Sequence, residues 1–154
     1  HMDAGRPMVV RRPDSVFTLA NFFRAQLYAT MATLKIGMDI LAEEGVAIDS
    51  LTGHGGLFKT PVVGQSYMAA ACNAPVTCME TAGEGGPYGM ALLASYLLNK
   101  DGGERLEDFL ANRVFAGAAG STIQPDPVLA EGFNTYIRRY QALLQVERAA
   151  VDAL

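Results

Sequence analysis

The chain has 154 residues, half of them apolar and only 18% charged, with a formal net charge of −4 at pH 7. That length and apolar content are enough for one domain with a real core. The basic runs are no longer than the pairs Arg11-Arg12 and Arg138-Arg139, so an acidic chain offers no stripe on which a phosphate backbone could dock, and nucleic acid and anionic membrane are excluded as expected partners.

His1-Met2 reads as the remnant of an expression tag, leaving 3–154 as the folding unit, and 3–13 reads as following a removed upstream portion. From Phe17 the residues Phe23, Leu27, Met31, Leu34, Met38 and Leu41 keep the three-and-four spacing of one helical face. With Asp14 and Ser15 as cap candidates, a helix is expected to run to Glu44 and to end at Gly45 in a left-handed turn. Gly37 inside it predicts close packing against a neighbour.

The segment 46–52 predicts a short strand. The glycine turn Gly53-His54-Gly55-Gly56 follows, and then a helix over 60–73. After Ala74-Pro75, residues 76–79 predict a second strand, 82–86 a second glycine-rich turn, and 87–99 a helix. This β-α-β-α order predicts a parallel pair with crossover helices. A short amphipathic helix is expected over 106–114, a loop of small residues and proline over 116–127, and a terminal helix from Pro127 to about Ala153. Two strands with several helices read as part of a larger sheet.

The longest apolar stretches, such as 89–98, fall short of the roughly 20 residues that cross a bilayer, and no basic-then-apolar leader opens the chain. A cytoplasmic location is expected. Cys72 and Cys78 lack metal-type or CxxC spacing and read as reduced packing thiols.

Chemistry is concentrated in the two glycine turns. Glycines at the carboxyl end of a parallel strand let the backbone turn tightly and lie close to a ligand, and the helix start that follows offers N–H groups to an anion. Side by side, the turns make a crevice at a sheet edge. The turn sequences match neither GxGxxG nor GxxxxGK[ST], so a purely structural role remains the competing reading on spacing alone.

Gly55-Gly56-Leu57-Phe58-Lys59-Thr60-Pro61 with Gln65, then Cys72-Asn73-Ala74-Pro75-Val76, then Glu84-Gly85-Gly86-Pro87-Tyr88-Gly89-Met90-Ala91-Leu92-Leu93-Ala94, resembles the adenosine-motif region of the FGGY carbohydrate kinases. The resemblance extends over nearly the whole chain from Phe17. It departs at Tyr28, where the family usually has Glu, at Thr60, where it has Ser or Asn, and at Pro87-Tyr88, where small apolar residues are typical. The GG-Leu form is similar to ribulokinase-like and xylulokinase-like members.

The resemblance implies an α/β fold: part of an actin-like, ribonuclease H-like ATPase domain with short parallel strands and long packing helices. The chain would be the C-terminal portion of the second, nucleotide-binding domain. It implies ATP with Mg2+ in an intact enzyme that phosphorylates a pentulose such as xylulose or ribulose. Gly55 and Gly56 would approach the nucleotide, and Leu57 and Thr60 would border it. The partners implied are nucleotide, sugar and an N-terminal domain outside this chain; self-association as a homodimer is also allowed for.

Lys59 reads either as a phosphate contact or as a solvated helix-start lysine. Glu84 reads as a carboxylate favoured at a helix N-terminus, and His54 as structural. Phosphoryl transfer needs a proton-accepting base and a turn for the terminal phosphates. In the family these lie elsewhere, and Asp39, Asp49, Asp101, Asp108 and Asp126 sit in no DxG-type turn, so no catalytic or metal-ligating residue is assigned. The chain alone is expected to be inactive. The competing reading is a non-catalytic α/β interaction module.

Overall fold

The computed structural model describes residues 4–153, so the expected tag remnant His1-Met2 lies outside the described residues. Two units divide the chain. One comprises residues up to Ala47, Ala70–Cys72 and the residues from Asp126 onward; the other comprises Ile48–Ala69 and Asn73–Pro125.

The first unit is a helical pair. Helix α1, Leu19–Glu43, starts at Thr18 rather than at Asp14 or Ser15, because the Thr18 hydroxyl accepts the Asn21 N–H at 3.2 Å and satisfies one of the unpaired donors of the first turn. It ends as expected at Gly45, which has φ 75° and donates its N–H to the Ala42 carbonyl at 3.0 Å.

The last helix, designated α5, is Pro127–Ala153, with proline in its first turn and the Asp126 carboxylate accepting from Val128 N (2.8 Å) and Leu129 N (3.1 Å). Tyr28, Met31 and Ala32 of α1 and Phe133 and Ile137 of α5 are buried. The Tyr28 ring meets Phe133 edge-on at 5.2 Å and lies 5.2 Å from Tyr136. This explains the departure at Tyr28: the position holds an aromatic core cluster. Gly37 does not pack as expected. It is exposed, and no atom lies within 4 Å of where a Cβ would stand.

The second unit is built on a three-stranded sheet of order β1-β2-β3. The strand expected over 46–52 contracts to β1, Leu51–Thr52, parallel to β2, Val76–Met79, in the register Leu51↔Val76. The third strand, β3 (Gly120–Ile123), corrects the expected loop over 116–127. It runs antiparallel to β2, with Val76 opposite Ile123 and Met79 opposite Gly120, so the sheet is mixed rather than parallel throughout. Three small polar or glycine residues with one half-buried isoleucine give β3 no alternation to read. Pairing with β2, including the Thr77–Thr122 hydroxyl contact at 2.8 Å, holds it in place.

Helix α2 is Val63–Cys72, shorter at its start than the expected 60–73, because the chain first makes a 3₁₀ turn over Gly56–Lys59 and a tight reversal at Val62 (φ 70°), where Val63 N donates to Pro61 O at 2.8 Å. Asn73, with φ 50°, ends it. Helix α3 is Gly85–Asn99, and α4 is the single turn Leu106–Phe109, which widens into a π-helical stretch over Leu110–Val114. Arg113 secures this corner. It pairs with Asp101 and with Glu104 (3.1 Å), donates to Asn99 O at 3.1 Å, and lies over the Phe109 ring.

Candidate functional site

β1 and β2 end side by side because they are parallel neighbours, and each runs into one of the glycine turns. From β1, Gly53 N donates to Thr77 O at 2.8 Å, extending the ladder by one residue before the chain leaves the sheet. Gly55 then takes φ 99° and ψ −173°, a region essentially closed to residues with a Cβ. From β2, the chain passes through Thr81 into a 3₁₀ turn over Ala82–Glu84 and directly into α3.

The turns are fastened together. Gly55 N donates to Ala82 O at 2.7 Å, and Phe58 N to Gly55 O at 3.1 Å. A Cβ on Gly85 would stand 2.8 Å from the His54 Cβ, so the absence of a side chain at Gly85 lets the second turn close on the first. His54 itself is exposed. The Lys59 ammonium lies 3.3 Å from the Glu84 carboxylate. Glu84 stands at the α3 N-cap but makes no capping hydrogen bond with its side chain.

Gly55, Gly56 and Leu57 thus lie in one turn, with exposed Thr60 just beyond it. Around the α-carbons of Gly55 and Gly56 the space is open: no atom lies within 4 Å of a Cβ built on either. Leu57 is half-buried, with its carbonyl and side chain against Gly64 at the start of α2. This first turn presents backbone to open space; it does not bury itself.

Gln65, quoted above as part of the motif, does not face the crevice. Its side chain is 5% exposed and donates to the carbonyls of Val76 (3.2 Å) and Ser121 (2.8 Å), while the Ser121 hydroxyl donates back to its Oε1 at 3.3 Å. A buried amide with its polar atoms satisfied ties α2 to both β2 and β3. Sequence spacing gave its place in the motif but not this task, because β3, one of the two strands it braces, was not legible.

Beside the second turn a cleft of about 160 Å³ is lined by Glu80, Thr81, Tyr88 and Phe115 among others. That is small against the roughly 300 Å³ at which pockets for drug-sized ligands begin. Tyr88, a departure from the family pattern, lines this cleft.

Three of the five aspartates named above have structural occupations. Asp39 pairs with Lys35, Asp101 pairs with Arg113, Asp126 caps α5, Asp108 stands in the first turn of α4, and Asp49 is exposed in the connection before β1. Among the described residues, no three His, Cys, Asp or Glu side chains gather as metal ligands. Burial pushes the Cys72 thiol above its ordinary value of 9.0, with Lys35 opposing the shift and Asp39 adding to it, and burial raises Cys78 against a lowering hydrogen bond from the Gly53 backbone, so both are protonated thiols at neutral pH. No helix among the described residues is long and apolar enough to cross a membrane.

Residues 1–98 match the model of the FGGY family of carbohydrate kinases, C-terminal domain. No curated protein sequence matches the chain. Among solved structures, the crystal structure of xylulose kinase from Rhodospirillum rubrum superposes with a TM-score of 0.64 at 22% identity, over 92% of this chain and 28% of that one. The chain therefore spans just over a quarter of the length of that structure. Family model and structural match give the fold implied by the sequence, an α/β portion of an actin-like domain.

Proposed function

The chain belongs to the FGGY family of carbohydrate kinases, and from that premise we propose that it forms one wall of the ATP site of a sugar kinase. The intact enzyme transfers the γ-phosphate of ATP to a hydroxyl of a pentulose such as xylulose or ribulose. The observation that carries this reading is the first glycine turn: Gly55 is held in a glycine-only conformation, and open space surrounds the α-carbons of both Gly55 and Gly56. At Gly85 in the second turn, by contrast, His54 occupies the place of the missing side chain.

In this reading Gly55 and Gly56 lie against the nucleotide, Leu57 supports the turn from behind, and Thr60 borders the site. Mg2+ would neutralise the ATP phosphates as they are transferred, and no carboxylate of this chain is assigned to it. The proton-accepting base and most of the sugar pocket belong to the N-terminal domain, and the chain alone is inactive. α3 leaves Met90, Leu97 and Leu98 in solvent, apolar area that such a partner domain would cover. The enzyme operates in the cytoplasm, where ATP is available and thiols such as Cys72 and Cys78 stay reduced.

Titrating the chain with ATP while following backbone amide shifts tests the reading. Shifts are expected at Gly55, Gly56, Thr60 and the 83–86 turn, and no phosphorylated xylulose or ribulose should form. Unmoved amides at millimolar ATP would overturn it in favour of the interaction module, and sugar phosphorylation by the chain alone would overturn the assignment of the base elsewhere.

A further inference from the structure

The two glycine turns are joined by backbone at one point, Gly55 N to Ala82 O, and by packing at another, His54 on Gly85. Lys59 adds a third connection of a different kind. It is the last residue of the first 3₁₀ turn, and its stem crosses to the second: a Cβ on Gly83 would stand 3.2 Å from the Lys59 Cε and 3.3 Å from its Cγ. The ammonium then reaches the Glu84 carboxylate at 3.3 Å. Both charges are therefore engaged with each other across the gap between the turns, and the methylene stem is laid along a position with no side chain.

We propose that Lys59 and Glu84 are positioning residues, a charged clasp that sets the spacing of the two glycine turns and so the width of the nucleotide crevice. The inference rests on the proposed ATP site and assigns Lys59 to the protein's own second turn rather than to a phosphate. Glu84, for its part, serves the first turn rather than the N-terminus of α3, where its side chain makes no capping bond. The pair is exposed, with side chains 59% and 70% accessible, so the attraction is modest and screened by salt. Its effect lies in biasing a local opening of the turns, whose other fastenings are the Gly55–Ala82 backbone hydrogen bond and the packing of His54 on Gly85.

The test compares Lys59→Met, which keeps the stem and removes the charge, with Glu84→Gln, Lys59→Arg and the exchanged pair Lys59→Glu/Glu84→Lys. Amide hydrogen exchange at Gly55 is expected to quicken roughly two- to fivefold in Lys59→Met and Glu84→Gln, to stay near the original rate in Lys59→Arg, and to recover in the exchanged pair. ATP affinity should weaken by the same factor in both single-charge variants, and about 0.5 M NaCl should erase the differences.

An unchanged Gly55 exchange rate in both single-charge variants overturns the clasp, as does an exchanged pair no better than the singles. A loss of ATP affinity in Lys59→Met far exceeding that in Glu84→Gln also overturns it, since that pattern marks a direct phosphate contact. If the unmodified chain binds no ATP, the proposed site fails while the exchange measurements still decide the clasp.

Discussion

The helical unit and the sheet unit solve opposite problems. In the α1–α5 pair, large side chains do the work: Tyr28, Met31, Phe133 and Ile137 are buried, and Phe133 and Tyr28 meet edge-on. In the sheet unit the decisive positions around the crevice are those where side chains are missing. Gly55 takes a conformation that a Cβ forbids, Gly85 admits His54, and Gly83 admits the stem of Lys59. Gln65, the one buried polar residue among the described residues, braces β2 and β3, strands of four residues each. The first unit thus turns apolar area into stability; the second keeps backbone near a surface that a ligand can approach.

The sharpest way to break this contrast is to remove a large side chain from the helical pair. Phe133 is fully buried, so Phe133→Ala is expected to destabilise the chain by about 3–5 kcal/mol, from lost apolar burial and the cavity left behind. Chemical denaturation followed by far-ultraviolet circular dichroism measures it. A loss below about 1 kcal/mol, the ordinary size for an arbitrary substitution, would mean the α1–α5 seam is not the core it is described to be.

The next test separates conformation from contact within a single turn. Gly55→Ala must place a Cβ at φ 99° and is expected to cost about 1–3 kcal/mol, with ATP-induced amide shifts abolished. At Gly56 there is no left-handed φ and no neighbour within 4 Å, so Gly56→Ala should leave stability within about 0.5 kcal/mol while still weakening ATP binding. Intact ATP binding in Gly56→Ala would reduce the open space beside it to an ordinary loop surface.

Many of the elements were legible in the sequence, though their division into two units was not, and the failures have identifiable causes. The three-and-four spacing from Phe23 to Leu41 gave the first long helix, and the terminal helix from Pro127 was placed by the amphipathic pattern that follows it, because periodicity over many turns is a strong signal. The two glycine turns and β2 were placed by the same logic of runs and breakers. β3 was not, since Gly120-Ser121-Thr122 owe their extended form to β2 and Gln65 rather than to their own pattern. The Lys59–Glu84 pair, 25 positions apart, and the Gly85–His54 approach depend on how two turns meet in space, which no single motif encodes.

Gly37 supplies the smallest effect, and the one of opposite sign. Glycine within a helix predicts a close neighbour, yet Gly37 is exposed on α1 with nothing near its missing Cβ. Its backbone is helical, so alanine fits without strain, and the unfolded chain loses freedom when glycine is replaced. Gly37→Ala should therefore stabilise the chain by about 0.5–1 kcal/mol, raising the denaturation midpoint without changing the slope of the transition. A destabilised Gly37→Ala would show that a neighbour does pack against this face of α1. The helical unit would then share with the sheet unit the use of a missing side chain, and the contrast between them would narrow to the glycine turns alone.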